Sequence, residues 1–357
     1  MKLKAWLKIV IFAVIAALVV GCVAYFLSVP SERDSIGIYG FDKEPEGSID
    51  VVLIGPSEIY TSFYSPLAYE QQGFTSYSLA VSTMTGAEYK SAVKYARRKQ
   101  DPQLFVVELW GFNYPNQTEE SYIRKWIDAL EPCSVRSEAI KELVPEEKQE
   151  SFNFRFLKYH GNWNNISKCA QVLKDKFAIA QRGYSITKNF STIPYQGHFE
   201  KQTLRYMIKE EGMVALKEFL EFCTEEDVNV LFVRTPELHE YVPQDSYYQA
   251  IDMIGEYGFP YLNMEEIADE ICINDEEDFY NSTHLNIYGC EKYTKFLSEY
   301  IMENYDIDTE HSEAVTEEWD ICASYNDTVT GRLKDEIARH VDEGPEYLYT
   351  QAQLLGQ

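Results

Sequence analysis

The chain has 357 residues, 45% of them hydrophobic, which is enough for one large or two ordinary domains with a sizeable core. Its formal net charge of −26 describes a surface that repels nucleic acid and anionic membrane, arguing against a phosphate-binding role; solubility accounts for such a balance. Seven cysteines, an odd number without a Cys-x-x-Cys pair or regular spacing, make neither a disulfide framework nor a zinc pattern, and Cys169, Cys223, Cys272 and Cys290 read as small core residues.

The N-terminus carries Lys2, Lys4 and Lys8 ahead of an almost unbroken apolar run from Ile9 to Val29, closed by Pro30. About twenty such residues span a bilayer. Basic residues before the run and Ser31-Glu32-Arg33-Asp34 after it place the N-terminus in the cytoplasm and the body outside, so residues 1–30 are expected to be a single-pass membrane anchor. Leu18-Val19-Val20-Gly21-Cys22 also resembles a bacterial lipobox with Cys22 as the lipid-bearing residue, but the chain stays apolar beyond it. A cleaved signal peptide would have a shorter core followed by small residues.

Residues 31–48 read as a linker. Ile49–Ile54 is a run of β-branched and aliphatic residues stopped by Gly55-Pro56-Ser57-Glu58, the pattern of a strand buried on both faces. A helix is expected over Ile59–Gln72, closed by Gly73, then a strand over Thr75–Val81 and a helix over Gly86–Gln100. Pro102 opens a third strand, Gln103–Leu109, which ends at Trp110-Gly111-Phe112-Asn113. This strand–helix alternation predicts a parallel sheet in an α/β fold. The rhythm breaks from about 114 to 200, where helical pieces (Glu119–Leu130, Val135–Glu147) and an aromatic stretch, Phe152–Trp163, read as an inserted helical cap. It resumes with a helix at Gly212–Thr224, a strand at Asn229–Arg234, a helix at Tyr247–Tyr257, a short strand at Pro260–Asn263 and a last sheet-packing helix at Tyr288–Tyr305. Residues 306–357 are acidic and weakly patterned, consistent with one or two peripheral helices and a frayed end.

Three positions at strand ends carry candidate chemistry. Ser57 follows the first strand, Asn113 the third, and His284 precedes the last helix. In an open α/β sheet, ligands bind at the carboxyl ends of the strands. Acyl transfer at a serine needs a base for the hydroxyl proton, donors for the oxyanion and a group that fixes the base's tautomer. Each residue also has a plainer role: Ser57 as a helix N-cap, His284 as a cap of the last helix, Asn113 in an Asx turn before Pro115. Glu58 reads as a first-turn acid stabilising its helix, and His160 as structural or cap-lining. Core packing explains the 27 tyrosines and 19 phenylalanines more simply than sugar-stacking platforms do.

Gly55-Pro56-Ser57, Gly111-Phe112-Asn113 and the late His284, taken in order, resemble the SGNH/GDSL hydrolase superfamily. The closer likeness is to membrane-anchored SGNH-like proteins of Gram-positive bacteria, including the DltD-type proteins of teichoic-acid D-alanylation. In these, a Gly-x-Ser strand end is paired with a late Asp-x-x-His-Leu/Val-Asn-x-x-Gly segment, which here reads Asn281-Ser282-Thr283-His284-Leu285-Asn286-Ile287-Tyr288-Gly289. The resemblance covers roughly residues 48–305 and implies a flavodoxin-like three-layer α/β/α sandwich. It further implies a nucleophilic Ser57, a base His284, an oxyanion hole from the Ser57 N–H and Asn113, and no metal or other cofactor. Two departures stand out. Asn281 occupies the place of the expected Asp, with Asp278 three residues back as a substitute. The family's second-block glycine also has no counterpart, leaving Ser82 or Thr83 to offer a backbone N–H. The implied substrate is a cell-wall polysaccharide or teichoic acid bearing O-acyl groups. The implied partner is a membrane-bound O-acyltransferase, and a catalytically dead scaffold is the competing class.

Overall fold

The computed structural model describes residues 2–28, 34–182 and 202–343. It is an α/β protein with a five-stranded parallel sheet and an apolar helix at its N-terminus. That helix, α1 (Lys2–Leu27), is long and apolar enough to cross a membrane, and its apolar stretch is not buried against the rest of the chain. Cys22 is exposed within it, and the helix runs on to Leu27. The expected linker contains a helix instead, α2 (Asp34–Phe41). Ile38 and Phe41 lie three residues apart, share one helical face and are buried in the main core.

Strand β1 (Val51–Ile54) is wholly buried. Its side chains alternate between two cores, Val52 and Ile54 in one, Val51 and Leu53 in the other, as the two-residue period of a strand requires. The single helix expected next is broken into α3 (Ser57–Ser62) and α4 (Ser65–Gln72). Pro66 has no N–H to continue the ladder and is accommodated only in the first turn of a new helix. Gly73 closes α4 with φ +84°, a left-handed cap that glycine adopts without strain. Strand β2 (Ser76–Ser78), helix α5 (Gly86–Ala96) and strand β3 (Leu104–Glu108) follow where expected, each shorter than its sequence pattern.

The described part of the insertion is helical: α6 (Glu120–Ile127), α7 (Ser134–Leu143), α8 (Glu146–Asn153), α9 (Phe156–Tyr159), a 3₁₀ segment His160–Asn165 and α10 (Ile166–Arg182). Residues 183–200 of the expected cap and the expected frayed end beyond 343 lie outside the described residues. Trp126, Ile127 and Phe152 join the main core, so this region is part of the domain's packing rather than a detached lid. Next come β4 (Gln202–Tyr206), α11 (Glu210–Glu225), β5 (Val230–Arg234), β6 (His239–Pro243), α12 (Asp245–Glu256), β7 (Tyr261–Asn263) and α13 (Ala268–Ile271). The chain then forms the hairpin β8 (Phe279–Asn281) and β9 (His284–Leu285), then α14 (Ile287–Asn304), α15 (Glu313–Ala323) and α16 (Asn326–Glu343).

The main sheet runs β2-β1-β3-β5-β7 with every neighbour parallel; β4 and β6, not expected from the sequence, form a separate two-stranded sheet. Parallel pairing gathers the carboxyl ends of the main strands along one edge. The C-terminal helices pack more closely than peripheral elements would: Trp319 of α15 is buried against Tyr69 of α4, and Leu333 and Ile337 of α16 cover Ile287 and Cys290 of α14. Cys169, Cys223 and Cys290 are buried as expected, whereas Cys272 is exposed, because it ends α13 in the left-handed conformation and turns its side chain outward.

Candidate active site

The site is assembled by a tight hairpin. Asn281 and His284 are direct antiparallel partners of β8 and β9, separated only by Ser282 and Thr283. An Asn-x-x-His spacing in such a turn sets the two side chains opposite each other. The Asn281 Oδ1 accepts from the Thr283 backbone N–H at 2.9 Å, which orients the amide with its oxygen toward the turn. His284 Nδ1 lies 2.9 Å from that same oxygen and 2.9 Å from Thr283 Oγ1. With the proton on Nδ1, Nε2 keeps its lone pair as an acceptor. Tyr280 stacks on the imidazole at 5.2 Å and 18°, and Ser282 accepts from the Leu238 N–H, pinning the hairpin tip to the segment after β5.

His284 Nε2 faces Ser57 Oγ at 2.7 Å, across 227 residues of sequence. Ser57 is the first residue of α3; the N-cap position belongs to Pro56, and no side chain caps that helix. The serine hydroxyl therefore addresses the histidine, and the N-cap reading fails. His284 is not a cap either. Asn286 takes that role for α14, accepting from the Tyr288 and Gly289 N–H groups. Burial pushes the His284 imidazole down to about 4, so it is neutral and able to accept a proton at neutral pH.

Asp278 does not supply the acid. It is fully buried, and its Oδ2 accepts from Lys292 Nζ and from the Asn274 N–H, each at 2.6 Å. The hairpin's own closure fixes this assignment: the Asp278 carbonyl accepts from the Asn286 N–H, and Gly289 packs so closely on it that a Cβ there would lie 2.5 Å from the oxygen. A swing toward His284 would leave Lys292 without its partner.

Of the residues expected to bind an oxyanion, Asn113 ends a 3₁₀ segment, Leu109–Asn113, beyond β3, on the strand that neighbours β1. It is half-buried at the same edge as Ser57. Ser82 lies beyond β2 and is half-buried; its Oγ accepts from Lys125 Nζ at 3.1 Å, and so does Thr83 Oγ1. His160 is exposed on the surface of the insertion rather than lining the site.

Behind the serine lies a charged group that strand periodicity does not announce. Glu108 and Arg234 are the last residues of β3 and β5, and both are buried. Arg234 reaches Glu237 at 3.0 Å, Glu108 at 3.5 Å and Glu265 at 3.8 Å, and its guanidinium lies over the rings of Trp110 and Tyr206. Glu108 also accepts from the Trp110 N–H and from the N–H and hydroxyl of Thr235. Gly55 allows β1 to approach this group, since a Cβ there would lie 2.7 Å from that of Glu108. Glu58 is buried beside it, 3.4 Å from Ser57 Oγ, and burial together with Glu237 pushes its carboxyl up to about 8. It is thus a buried acid that holds a proton near neutral pH, not the charged first-turn acid expected to stabilise its helix. A cavity of about 140 Å³ opens next to Arg234, lined by Tyr206, Tyr247, Asn263 and Glu265. The sequence signal for this group was available: a charged residue closing a fully apolar strand points to a paired buried charge.

Chemically, the arrangement can take a proton from Ser57 on a neutral imidazole whose other nitrogen is held by a neutral amide. Searched against family models and against curated proteins, the chain matches none.

Proposed function

We propose that the chain is a membrane-anchored serine acyl esterase or O-acyltransferase of the SGNH type, acting outside the cell on O-acyl groups of an envelope polymer such as a teichoic acid or surface polysaccharide. In this reading the sheet is the middle layer of a flavodoxin-like α/β/α sandwich. The single observation that carries it is the 2.7 Å contact between Ser57 Oγ and His284 Nε2. Counting only the strands of the main sheet, their order is 2-1-3-4-5, the order of flavodoxin-like sheets.

The reaction runs in two halves. Ser57 Oγ bonds the ester carbonyl carbon while its proton passes to His284 Nε2. The C–O bond to the alcohol then breaks, and the proton moves to the leaving oxygen. Water or an acceptor hydroxyl attacks the acyl-enzyme in the same manner, giving its proton to Nε2, and Ser57 recovers a proton as it leaves. The Ser57 N–H and Asn113 serve the oxyanion. A membrane-bound O-acyltransferase is the partner this role implies. A second reading, a non-catalytic scaffold that binds glycan or such a partner, is favoured by Asn281, because an amide cannot stabilise the imidazolium by charge.

The test treats the full chain with a fluorophosphonate and locates the adduct by mass spectrometry. Labelling at Ser57, absent in Ser57→Ala and nearly lost in His284→Ala, is the expected result. No adduct in folded protein, alone or beside the membrane acyltransferase, would favour the scaffold.

A further inference from the structure

One part of the surface departs from the rest in both charge and exposure. Residues 151–174 include Arg155, Lys158, Lys168 and Lys174 and no aspartate or glutamate, within a chain of net charge −26. The same stretch exposes Phe154, Phe156, Leu157, Trp163 and Ile166, with Phe154 and Trp163 each more than 60% open to solvent. Clustered exposed apolar groups of this size mark a contact surface.

Its position says what the contact is. Helix α1 packs against α9, the 3₁₀ segment and α10, the elements that carry these side chains. Asn162 Nδ2, next to Trp163, donates to the carbonyl of Leu27, the last residue of α1, at 2.9 Å. The patch therefore sits at the level where α1 ends. If α1 crosses the bilayer, that level is the boundary between acyl chains and headgroups. Trp at this depth with Lys alongside is the composition of an interfacial anchor.

We infer that residues 154–166 form a second membrane contact, lying in the interface of the bilayer that α1 crosses. Phe154, Phe156, Leu157, Trp163 and Ile166 enter the acyl boundary, and Lys158 and Lys168 meet lipid phosphates. The lipid surface is favoured over a soluble protein because α1 holds the patch at the membrane plane, where a basic stretch free of carboxylates meets lipid phosphates without the repulsion the acidic body would give. The inference rests on α1 as a membrane-spanning helix.

The experiment places the full chain in nanodiscs of phosphatidylglycerol and phosphatidylcholine containing a phosphatidylcholine with a diazirine near its glycerol, and maps photo-adducts by mass spectrometry. Adducts on α1 and on peptides covering 154–166 are expected. A quadruple variant (Phe154→Ser, Phe156→Ser, Leu157→Ser, Trp163→Ser) should lose the second set by at least about tenfold while α1 labelling and thermal midpoint hold. Adducts confined to α1 in the unmodified chain would overturn the inference and leave the patch to a protein partner. Adducts on neither would overturn the membrane-spanning reading of α1 and this inference with it.

Discussion

The two polar groups at the carboxyl edge of the sheet are built in opposite ways. The partners of His284 are hydroxyls and an amide. Arg234, a few residues' width away, faces the carboxylates of Glu108, Glu237 and Glu265, with Glu58 beside them. The first group has a base and lacks a counter-charge. The second has more carboxylate than one guanidinium can balance, so part of it holds protons, as the raised Glu58 and Glu108 carboxyls indicate. The difference teaches that, among the described residues, the imidazole is held by an amide and hydroxyls and no carboxylate hydrogen-bonds it. The buried Glu58 carboxyl lies beside the serine instead, 3.4 Å from Ser57 Oγ.

The comparison breaks most directly at the base. His284→Ala should slow fluorophosphonate labelling of Ser57 by about 10⁴-fold, the upper end of what a positioned base contributes. An unchanged rate would mean that His284 does not activate the serine. The charged group is tested by Arg234→Met, which strands Glu108 and Glu237 in the interior. Urea unfolding should show a loss of about 3–5 kcal/mol, the range for removing one partner of a buried pair. A neutral result would mean that the contacts of Arg234 with Glu108 and Glu237 add nothing to stability.

Asn281→Asp restores the counter-charge where the imidazolium forms. Labelling should rise by about 10–100-fold, less than the four orders of magnitude by which the reverse change harms a site built around the acid. The same variant should raise the His284 pKa, seen as an upward shift in the acid limb of the rate profile. In the unmodified protein that limb should lie near pH 4, the rate falling as pH drops through it because the imidazole becomes protonated.

The two groups also differ in how stability responds to pH. Glu58 is raised to about 8 in the folded protein, so between its ordinary value and 8 the native state holds a proton that the unfolded chain has lost. Its contribution is present in acid and drains away as pH rises, by about 1.4 kcal/mol per unit where only the native form is protonated. His284 acts oppositely, since its depressed folded pKa makes stability fall as pH drops from about 6.5 toward 4. Glu58→Gln should cut the first slope by Glu58's share, leaving that of the similarly raised Glu88, and keep the second, as read from urea midpoints between pH 4 and 8. Retention of both slopes in full would assign the alkaline loss elsewhere, with buried Glu88, also raised to about 8, as the next carboxyl to replace.

Much of this was legible in the chain itself, for reasons of period and punctuation. Apolar runs of the right length marked β1, β3 and β5, and Gly55, Gly73 and Pro102 marked their bounds, because backbone freedom and a missing N–H act locally. The apolar N-terminal run was equally local. Ser57 could be picked out at a strand end and His284 ahead of the last helix, Asn281 only through the family motif, and the β8–β9 hairpin that pairs Asn281 with His284 was not expected. The meeting of Ser57 with His284 could not be picked out, since the 2.7 Å contact spans 227 positions and exists only once β1 and the β8–β9 hairpin lie on the same edge. Competition decided the rest. Asp278 looked available in sequence, and Lys292, one helical face away on α14, took it. Glu58 read as a first-turn acid stabilising its helix, and burial beside Glu237 and Glu108 raised its carboxyl instead. The helix over 59–72 was misread although Pro66 breaks it locally through its missing N–H, whereas the linker over 31–48 was misread because Ile38 and Phe41 act through a core that only the folded chain creates. Local conformation follows from each residue's own sterics, whereas partner choice and protonation follow from which buried groups the fold leaves closest.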